Sequence, residues 1–509
     1  MHLAGSKIRQ WREAHHPPLS ADEFGMRYGQ PAPWPSRTVY GWEAKGKIAR
    51  ASVQKRLAEL GICKPADWLE PAYDNPDEKG PASMSGTETP PFFDLHTHGF
   101  VRIATSTPKV RTADVEHNAQ GIVEQARMAD AQNVDLLLYP ELSLSSYALD
   151  DLHLQSALLD AVETQVEAII DASRSLSPVL VFGAPLRRNG RIYNCALVVG
   201  HGELLGVVPK SYLPNYREYY EKRWFAHGRE CIGLTIRCGD HEVPFGTDLT
   251  FGASDLPGFI FGIEICEDFW APNPPGIMAA LAGATILLNL SASNITIGKS
   301  DERHLLSRAS SSRLVCAYAY SASGHGESTT DLAWDGQGMI YELGDLLVES
   351  VRFDLYPELC ITDVDTQRIL SERMRMQTFN DAAEAAGRPE DWYRRIAFKH
   401  RPRGGDKGLQ RPIRRFPFVP NRADKLDEDC YEAFNIQVDA LMRRIDATDP
   451  KCLVIGISGG LDSTHALIVA AKAMDRLGRP RTDIRGYTLP GFATSDGTKA
   501  NAWRLMEAF

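Results

Sequence analysis

An acid, an amine and a thiol each follow directly on an apolar run, and together they are the groups that amide hydrolysis needs. Glu141 follows VDLLLYP, Lys210 follows LLGVVP and Cys266 follows GFIFGIEI. A thiol is only a few per cent ionised at neutral pH, so a carboxylate must take its proton before it attacks a carbonyl carbon. A fixed ammonium then stabilises the oxyanion. The three types indicate a cysteine amidase, and a buried structural thiol is the alternative.

Glu141, Lys210 and Cys266, which must come together for this chemistry, lie at the ends of predicted strands. Between about residues 93 and 370, apolar runs such as FVRIAT, PVLVFGAP, CALVVG and ATILLNL alternate with amphipathic segments such as ADVEHNAQGIVEQARMADAQ. This alternation predicts an α/β fold with helices covering sheets. Strand ends present side chains to a cleft, so Glu141 and Cys266 can converge although 125 positions separate them.

A second α/β pattern begins near residue 431 and contains a glycine-rich loop. KCLVIGI predicts a strand, DSTHALIVAAKAMDRLG a helix and DIRGYTLP a strand, while the charged, irregular residues 371–430 predict a connector. At Ser458, Gly459 and Gly460 the backbone N–H groups can approach a phosphate, and the helix N-terminus adds positive charge. No GK[ST] follows, so this is not a Walker motif. A glycine-rich turn without function is the alternative.

The amino-terminal residues form a small basic unit. Residues 1–64 carry 11 Lys and Arg against 5 Asp and Glu. SRTVYGWEAKGKIARASVQKRLAELGI resembles the second half of a Cro/repressor-type helix-turn-helix domain, so residues 1–70 are predicted to be all-α, with Ser36, Arg37 and Thr38 opening a recognition helix that meets DNA. A helical docking module is the alternative. Residues 71–92, rich in Pro, Gly and Ser, predict a linker.

The sequence motifs that contain Glu141, Lys210 and Cys266 resemble those of a known protein family. YPELSLSSY, VVPKSYLPNYREYYEKRWF and EICEDFW resemble the three motifs of the nitrilase (carbon-nitrogen hydrolase) superfamily. With HGFVR, NLSASNITIG, GESTTDLAWDG and RFPFVP, they resemble the glutaminase domain of the glutamine-dependent NAD synthetase family, over roughly residues 95–509. The resemblance implies a nitrilase-type α-β-β-α sandwich at 93–370, followed at 431–509 by the start of a doubly wound parallel sheet of the ATP pyrophosphatase type.

The resemblance also implies roles for individual residues. Glu141 is the general base, Lys210 the oxyanion-stabilising cation, Cys266 the nucleophile and Glu221 a second carboxylate that positions substrate and orients the lysine; the glutaminase domain needs no cofactor. The resemblance also implies a glutamine pocket formed by Tyr216, Glu267, Ser293, Ser291 and Tyr147. For the two tyrosines, core packing is the alternative. A carboxylate beside the nucleophile suits a free amino acid, which carries an ammonium group.

SGGLDS resembles the loop of ATP pyrophosphatases, which adenylate a carbonyl oxygen and release pyrophosphate. By that resemblance Ser458 and Ser463 hydrogen-bond phosphate oxygens, and Asp462 helps hold Mg²⁺, which prefers carboxylate and phosphate ligands. The segment TLPGFATSDGTK resembles the part that cups the nucleotide. The implied ATP-binding set is Ser458, Gly459, Gly460, Leu461, Asp462, Ser463, Leu489 and Thr494.

The implied overall reaction transfers ammonia from glutamine to adenylated deamido-NAD, inside a homo-oligomer. About 50 residues follow the phosphate loop, and a doubly wound domain needs more than two strands. We therefore expect residues 1–509 to hydrolyse glutamine but not to make NAD. Turnover of deamido-NAD with ammonia and ATP by this chain would contradict that expectation. A stand-alone amidase and a DNA-binding regulator with a sensor domain are the alternatives.

Composition limits the remaining classes. The net charge of −10 and the pI of about 5.8 argue against a whole-chain nucleic-acid or anionic-membrane binder. Nine scattered cysteines without CxxC spacing indicate neither a disulfide framework nor a zinc knuckle, and no apolar stretch approaches a membrane span. We expect a cytoplasmic protein. The pair His96-x-His98 has the spacing of a metal pair in amidohydrolases, but no further ligand follows in the sequence and no metal is predicted there.

Overall fold

The computed structural model describes Leu57 and residues 91–329, 332–355, 358–411, 413, 415–417, 419, 425–489, 491 and 495–509. The chain divides into two compact units, Met1–Phe93 and Asp94–Phe509. Apart from Leu57, the predicted helix-turn-helix unit of residues 1–70 lies outside the described residues, as does most of the predicted linker 71–92. DNA binding through residues 1–70 therefore stays a prediction, and the following description concerns the second unit.

The second unit is built from seventeen described strands and eleven described α-helices. The strands are β1 Phe100–Thr105, β2 Leu136–Leu138, β3 Val179–Arg188, β4 Arg191–Gly200, β5 Glu203–Pro209, β6 Leu234–Cys238, β7 His241–Phe245, β8 Leu249–Ala253, β9 Ile260–Ile265, β10 Ile286–Ser291, β11 Ala317–Ala322, β12 Gly338–Glu342, β13 Asp345–Glu349, β14 Cys360–Asp365, β15 Arg394–Phe398, β16 Leu453–Gly456 and β17 Ile484–Tyr487. The helices are α1 Val115–Ala131, α2 Ser156–Ser173, α3 Glu267–Trp270, α4 Gly276–Leu281, α5 Lys299–Arg313, α6 Thr366–Arg375, α7 Gln377–Ala385, α8 Pro389–Trp392, α9 Leu426–Thr448, α10 Leu461–Arg476 and α11 Asp496–Ala508.

Two mixed sheets face each other in the larger part of this unit. The first has the strand order β14-β1-β2-β3-β4-β5-β7-β6 and the second the order β13-β12-β11-β10-β9-β8-β15. Strand alternation places neighbouring residues in different layers: Leu137 of β2 joins the core under α1 and α2, whereas Leu136 and Leu138 join the core between the sheets. A third core lies between the second sheet and helices α4 and α5. These layers confirm the predicted α/β fold and its α-β-β-α sandwich.

Helix α1 shows how the sequence forms the outer layer. Apolar residues recur at the helical spacing at Val115, Ala119, Ile122 and Ala126, and all four are buried against the first sheet. The Asp114 side chain accepts a hydrogen bond from the His117 backbone N–H and so caps the first turn.

Part of the predicted connector belongs to the second sheet. Within residues 371–430, β15 pairs in parallel with β8. The Arg394 guanidinium donates to both oxygens of the buried Asp248 at 2.7 Å, which fixes the strand at the sheet edge. The segment RRIAF does not show the alternation of apolar and polar residues that is typical of a strand, because Arg394 pairs with Asp248 and Arg395 is exposed. The other domain boundaries stay predictions.

The carboxyl-terminal residues form a separate two-stranded parallel sheet. β16 pairs with β17, as the two predicted strands require. Helices α9 and α10 pack together over Leu453 and Ile484, while Ile457 packs with Ala502 of α11. Among the described residues, no helix combines the length and the apolar character that a membrane crossing requires.

Candidate active site

A lysine held between two carboxylates lies at the centre of the candidate site. Lys210, at the end of β5, donates from Nζ to Glu141 Oε1 at 2.6 Å and to Glu221 Oε1 at 2.7 Å. All three side chains are buried. Burial alone lowers the pKa of Lys210, but the charges of Glu141 and Glu221 outweigh burial and raise that pKa well above its usual range. The lysine is therefore a permanent cation.

Glu141 is fixed on both of its oxygens. Asn194 Nδ2 donates to Oε1 at 2.7 Å, and the Ala292 backbone N–H donates to Oε2 at 2.8 Å. The turn that carries Glu141 is pressed against β3. A Cβ at Gly183 would lie 2.1 Å from the Leu142 backbone nitrogen, so only glycine allows this approach. The Glu141 carboxylate thus has a rigid position set by three elements.

Cys266 occupies a strained turn between β9 and the short helix α3. Its φ of 44° lies in the left-handed region, which is unfavourable for a residue with a side chain. The Cys266 backbone N–H donates to Leu290 O at 2.8 Å, which ties the turn to β10. Strain of this kind at the end of a strand exposes the side chain to the cleft, as nucleophiles require.

Asp268, which the sequence analysis did not single out, ties the cysteine turn to the lysine strand. Its carboxyl group accepts from the backbone N–H of Ile265 at 3.0 Å, from that of Tyr212 at 2.8 Å and from that of Ser211 at 3.1 Å. Burial raises the pKa of Asp268 to about 7, although these donors oppose that rise. Its place two residues after Cys266 in EICEDFW was the available signal.

The thiol of Cys266 is close enough to Glu141 and Lys210 for both charges to act on it. Burial and then the Glu141 carboxylate raise the pKa of Cys266 well above its usual range, while Lys210 and the Ser291 hydroxyl lower it only in part. This balance favours the neutral thiol, so a base would have to accept its proton for the sulfur to act as a nucleophile.

Two buried hydrogen bonds link Glu221 to Tyr147 and Tyr147 to Glu327. The Tyr147 hydroxyl donates to Glu221 Oε1 at 2.7 Å, and the Tyr147 backbone N–H donates to Glu327 Oε1 at 2.9 Å. Burial raises the pKa of Glu221 above its usual range, and the Lys210 ammonium opposes that rise. Tyr147 therefore orients Glu221. Glu327 was missed as a single residue, although its motif GESTTDLAWDG was recognised.

A cavity of about 320 Å³ opens beside Cys266. Cys266, Glu267, Tyr216 and Ser293 all line it, together with Lys299. The Tyr216 hydroxyl donates to Glu267 Oε1 at 2.9 Å. Tyr147 lines a neighbouring cavity instead. The structure therefore brings three of the predicted glutamine-pocket residues to one space beside the thiol and places Tyr147 behind Glu221.

The predicted phosphate loop connects β16 to α10. Ser458 Oγ and Ser463 Oγ lie 3.1 Å apart, and the Gly460 backbone N–H donates to Ser458 Oγ at 3.3 Å. Leu461 and Asp462 line an open cavity of about 700 Å³ with residues of α9, α10 and β16. Leu489 is exposed, and Thr494 lies outside the described residues. Ser458, Gly459 and Gly460 thus lie in the loop, and Asp462 and Ser463 lie in the first turn of α10, while contacts from Leu489 and Thr494 stay predictions.

Comparisons with known proteins agree with this geometry. The carbon-nitrogen hydrolase family matches residues 101–369. The chain is 53% identical over 417 residues to a glutamine-dependent NAD(+) synthetase from Mycobacterium tuberculosis. This alignment covers 82% of this chain and 61% of that protein. For the enzyme of the same name from Mycobacterium leprae the identity is 52%, with the same coverage. The chain spans about three fifths of the length of these curated relatives.

A crystal structure of a glutamine-dependent NAD(+) synthetase from Cytophaga hutchinsonii aligns at 21% identity with a TM-score of 0.47. That alignment covers 80% of this chain and 63% of the other.

Proposed function

Because the chain belongs to the carbon-nitrogen hydrolase family, we propose that it hydrolyses the side-chain amide of glutamine at Cys266. The observation that carries this proposal is the buried Lys210 ammonium, held by Glu141 and Glu221 within electrostatic range of the strained cysteine. The names of the mycobacterial relatives support glutamine as the substrate and NAD synthesis as the use of the ammonia.

In the proposed reaction, Glu141 accepts the thiol proton as the sulfur attacks the amide carbon. The Lys210 ammonium faces the negative oxygen that develops, and loss of one such donor typically costs about 10²–10³ in rate. Collapse of the tetrahedral intermediate breaks the carbon–nitrogen bond, and Glu141 returns the proton to the departing amine, which leaves as ammonia. Water then attacks the thioester with Glu141 again as base, releasing glutamate and the thiol.

The cavity residues account for the choice of a free amino acid. Glu267 lies half-exposed beside Cys266, and Tyr216 holds its carboxylate through a hydrogen bond. The α-ammonium of glutamine can pair with this carboxylate. Such a charge-assisted bond is stronger than a neutral one and discriminates glutamine from amides that lack the amino group.

Replacing Glu267 with glutamine should raise KM for glutamine about 10- to 100-fold with little change in kcat, because a hydrogen bond to a charged group contributes about 1.5–3 kcal/mol. Ammonia release from glutamine and from butyramide would be followed for both proteins. Hydrolysis of butyramide, which lacks an amino group, should not change.

The matched control is Glu302→Gln, which neutralises another carboxylate of the same cavity and should leave KM for glutamine unchanged. A wild-type chain that hydrolyses butyramide as efficiently as glutamine would contradict glutamine specificity and favour a stand-alone amidase.

We further propose that the loop at Ser458–Ser463 binds the phosphates of ATP. Gly459 adopts a φ of +81°, and a Cβ there would lie 2.2 Å from Thr498 O, so the loop requires glycine. This segment runs into the first turn of helix α10, whose N-terminal N–H groups favour an anion. Asp462 would hold Mg²⁺ there, and that ion would neutralise phosphate charge.

Gly459→Ala should weaken ATP binding by about tenfold or more, because the added methyl group displaces the backbone that meets the phosphates. Binding of ATP with Mg²⁺ would be measured by calorimetry. The control is Gly456→Ala, where an added Cβ meets nothing within 4 Å. Equal ATP affinity in wild type and Gly459→Ala would contradict the proposal, provided that glutamine hydrolysis shows both to be folded.

The remaining partners follow from the same proposal. Deamido-NAD would be the acceptor of the ammonia, and the oligomeric and cytoplasmic states stay predictions. The naming of the mycobacterial relatives as NAD(+) synthetases supports NAD synthesis alone.

A further inference from the structure

Three side chains from distant parts of the chain meet outside the Cys266 cavity. His96 lies in the 3₁₀ turn Leu95–His98, Asp135 immediately precedes β2 and His400 follows β15. His96 Nε2 is 3.1 Å from Asp135 Oδ1, and His400 Nε2 is 2.8 Å from the same oxygen. One ligand atom from each residue lies within 4.8 Å of the others, and the side chains are at most 6% exposed.

Each ring nitrogen of His96 faces a carboxylate, Asp135 on one side and Asp94 on the other. If neutral His96 donates from Nε2 to Asp135, its Nδ1 becomes an acceptor. That atom lies 3.4 Å from Asp94 Oδ1, which is also an acceptor, so the two repel. A metal ion on Nε2 removes the conflict, because Nδ1 then carries the hydrogen and faces the Asp94 carboxylate. Metal-ligating histidines commonly show this carboxylate partner.

The carboxylate of the cluster is already oriented. The Arg102 backbone N–H donates to Asp135 Oδ2 at 2.7 Å, His400 Nε2 lies against Oδ1, and His96 Nε2 lies 3.1 Å from both oxygens. Donor atoms around a tetrahedral zinc ion lie about 3.3 Å apart, given zinc–nitrogen distances of about 2.05 Å. The observed separations of 3.1 Å and 2.8 Å are a few tenths of an ångström shorter than that value, so small outward movements of the side chains suffice to admit an ion.

We propose that His96, Asp135 and His400 form a binding site for a divalent first-row transition-metal ion such as zinc, independent of the glutamine reaction. Two imidazoles and one carboxylate suit zinc or iron, and a water molecule completes the coordination. The ion joins the segment after β15 to the start of β2 and to the first turn of the unit. Its role is structural, because it crosslinks elements up to 304 positions apart, from His96 to His400.

Two side chains near His96, Asp135 and His400 bear on the affinity of this site for a metal ion. The half-buried Lys407 ammonium lies within electrostatic range of Asp135 and Asp94, so it opposes a second cation. His201, whose ring lies 6.0 Å from that of His400, is a non-ligand neighbour. The competing arrangement is an imidazolium at His96 that donates to both Asp94 and Asp135 with no ion present.

The test uses the whole chain, stripped with a chelator, dialysed and then titrated with zinc chloride. Bound zinc would be measured by mass spectrometry, and the midpoint of thermal unfolding would be recorded with and without zinc. Wild type should bind one more zinc ion per chain than His400→Gln or Asp135→Asn, and zinc should raise the unfolding midpoint of wild type only. Asp94→Asn should weaken zinc binding about 10- to 100-fold.

The matched control is His241→Gln, which removes a histidine paired with Glu167 and should leave zinc binding unchanged. Because His400→Gln can fail for structural reasons, cobalt(II) in wild type provides a second measurement, through the visible absorption of a four-coordinate nitrogen and oxygen site. Equal zinc binding by wild type and Asp135→Asn, or a zinc-independent unfolding midpoint in wild type, would overturn the proposal in favour of the imidazolium.

Discussion

Cys266→Ala should reduce glutamine hydrolysis by at least about 10⁴-fold while leaving the fold unchanged, because removal of a catalytic nucleophile costs about that much or more. The thiol lies at a strained turn beside the general base, and among the described residues no second sulfur lines the cavity. Alanine fits the same backbone without leaving a charge unpaired. Glutamate release would be measured, with circular dichroism as the check on folding.

Cys316→Ala is the matched control for this experiment. Cys316 is also fully buried, but it belongs to the core between the second sheet and helices α4 and α5. Its loss should leave the glutaminase rate within about twofold, because a surrounding core absorbs the deletion of one small group at a modest cost in stability. An electrophilic analogue of glutamine should label the peptide that contains Cys266 in wild type and in Cys316→Ala. Residual hydrolysis within tenfold of wild type in Cys266→Ala would exclude Cys266 as the nucleophile.

Lys210→Met should lower both the rate and the stability. The rate should fall by at least about 10²–10³, because the oxyanion loses its cation. The free energy of unfolding should fall by about 3–5 kcal/mol at neutral pH, because two buried carboxylates lose their common partner. Urea unfolding and single-turnover hydrolysis would measure the two effects separately.

A second substitution distinguishes the two effects. Lys210→Met with Glu221→Gln should recover a large part of the lost stability, since only the Glu141 carboxylate stays unpaired, and it should recover none of the activity. A recovered rate would show that Lys210 acts only as a structural counterion. No recovery of stability would show that the ion pair between Lys210 and Glu221 does not carry the cost.

The destabilisation by Lys210→Met should depend on pH in a defined direction. Without the ammonium, the pKa of Glu221 rises further above its unfolded value of about 4.5. The native state then binds more protons than the unfolded state above that pH, so its stability falls as pH rises. The difference from wild type should therefore be small near pH 4 and largest above neutral pH, in urea titrations across that range.

The sequence indicated the candidate reacting groups but not the residues that hold them. Glu141, Lys210 and Cys266 were singled out because each follows an apolar strand within a specific motif, and their catalytic roles stay predictions. Asn194 and Glu327 bear on the same array, but each reaches it through a contact that spans many tens of residues. Such contacts depend on which strands become neighbours, and a single sequence does not contain that order.

The sequence also missed features that arise from charge pairing across the fold. β15 lies within residues 371–430, which were predicted as a connector because they are charged and irregular, yet the pairing of Arg394 with Asp248 holds β15 on the sheet. His96 was noticed with His98, whereas its partners in space are Asp135 and His400, which lie far along the chain. Burial patterns predict layers, but they do not predict which buried polar groups face one another.

The placement of Lys210 between two carboxylates determines the net charge of the buried site during the proposed formation of the thioester. If Glu141 and Glu221 are counted as carboxylates, Lys210 as an ammonium and Cys266 as a thiol, the buried cluster carries a total of one negative charge before attack. When the proton passes from sulfur to Glu141, that single charge relocates to the sulfur and then to the substrate oxygen, and the total is the same. The proposed step therefore adds no further charge to a buried site, where an unpaired charge would be costly.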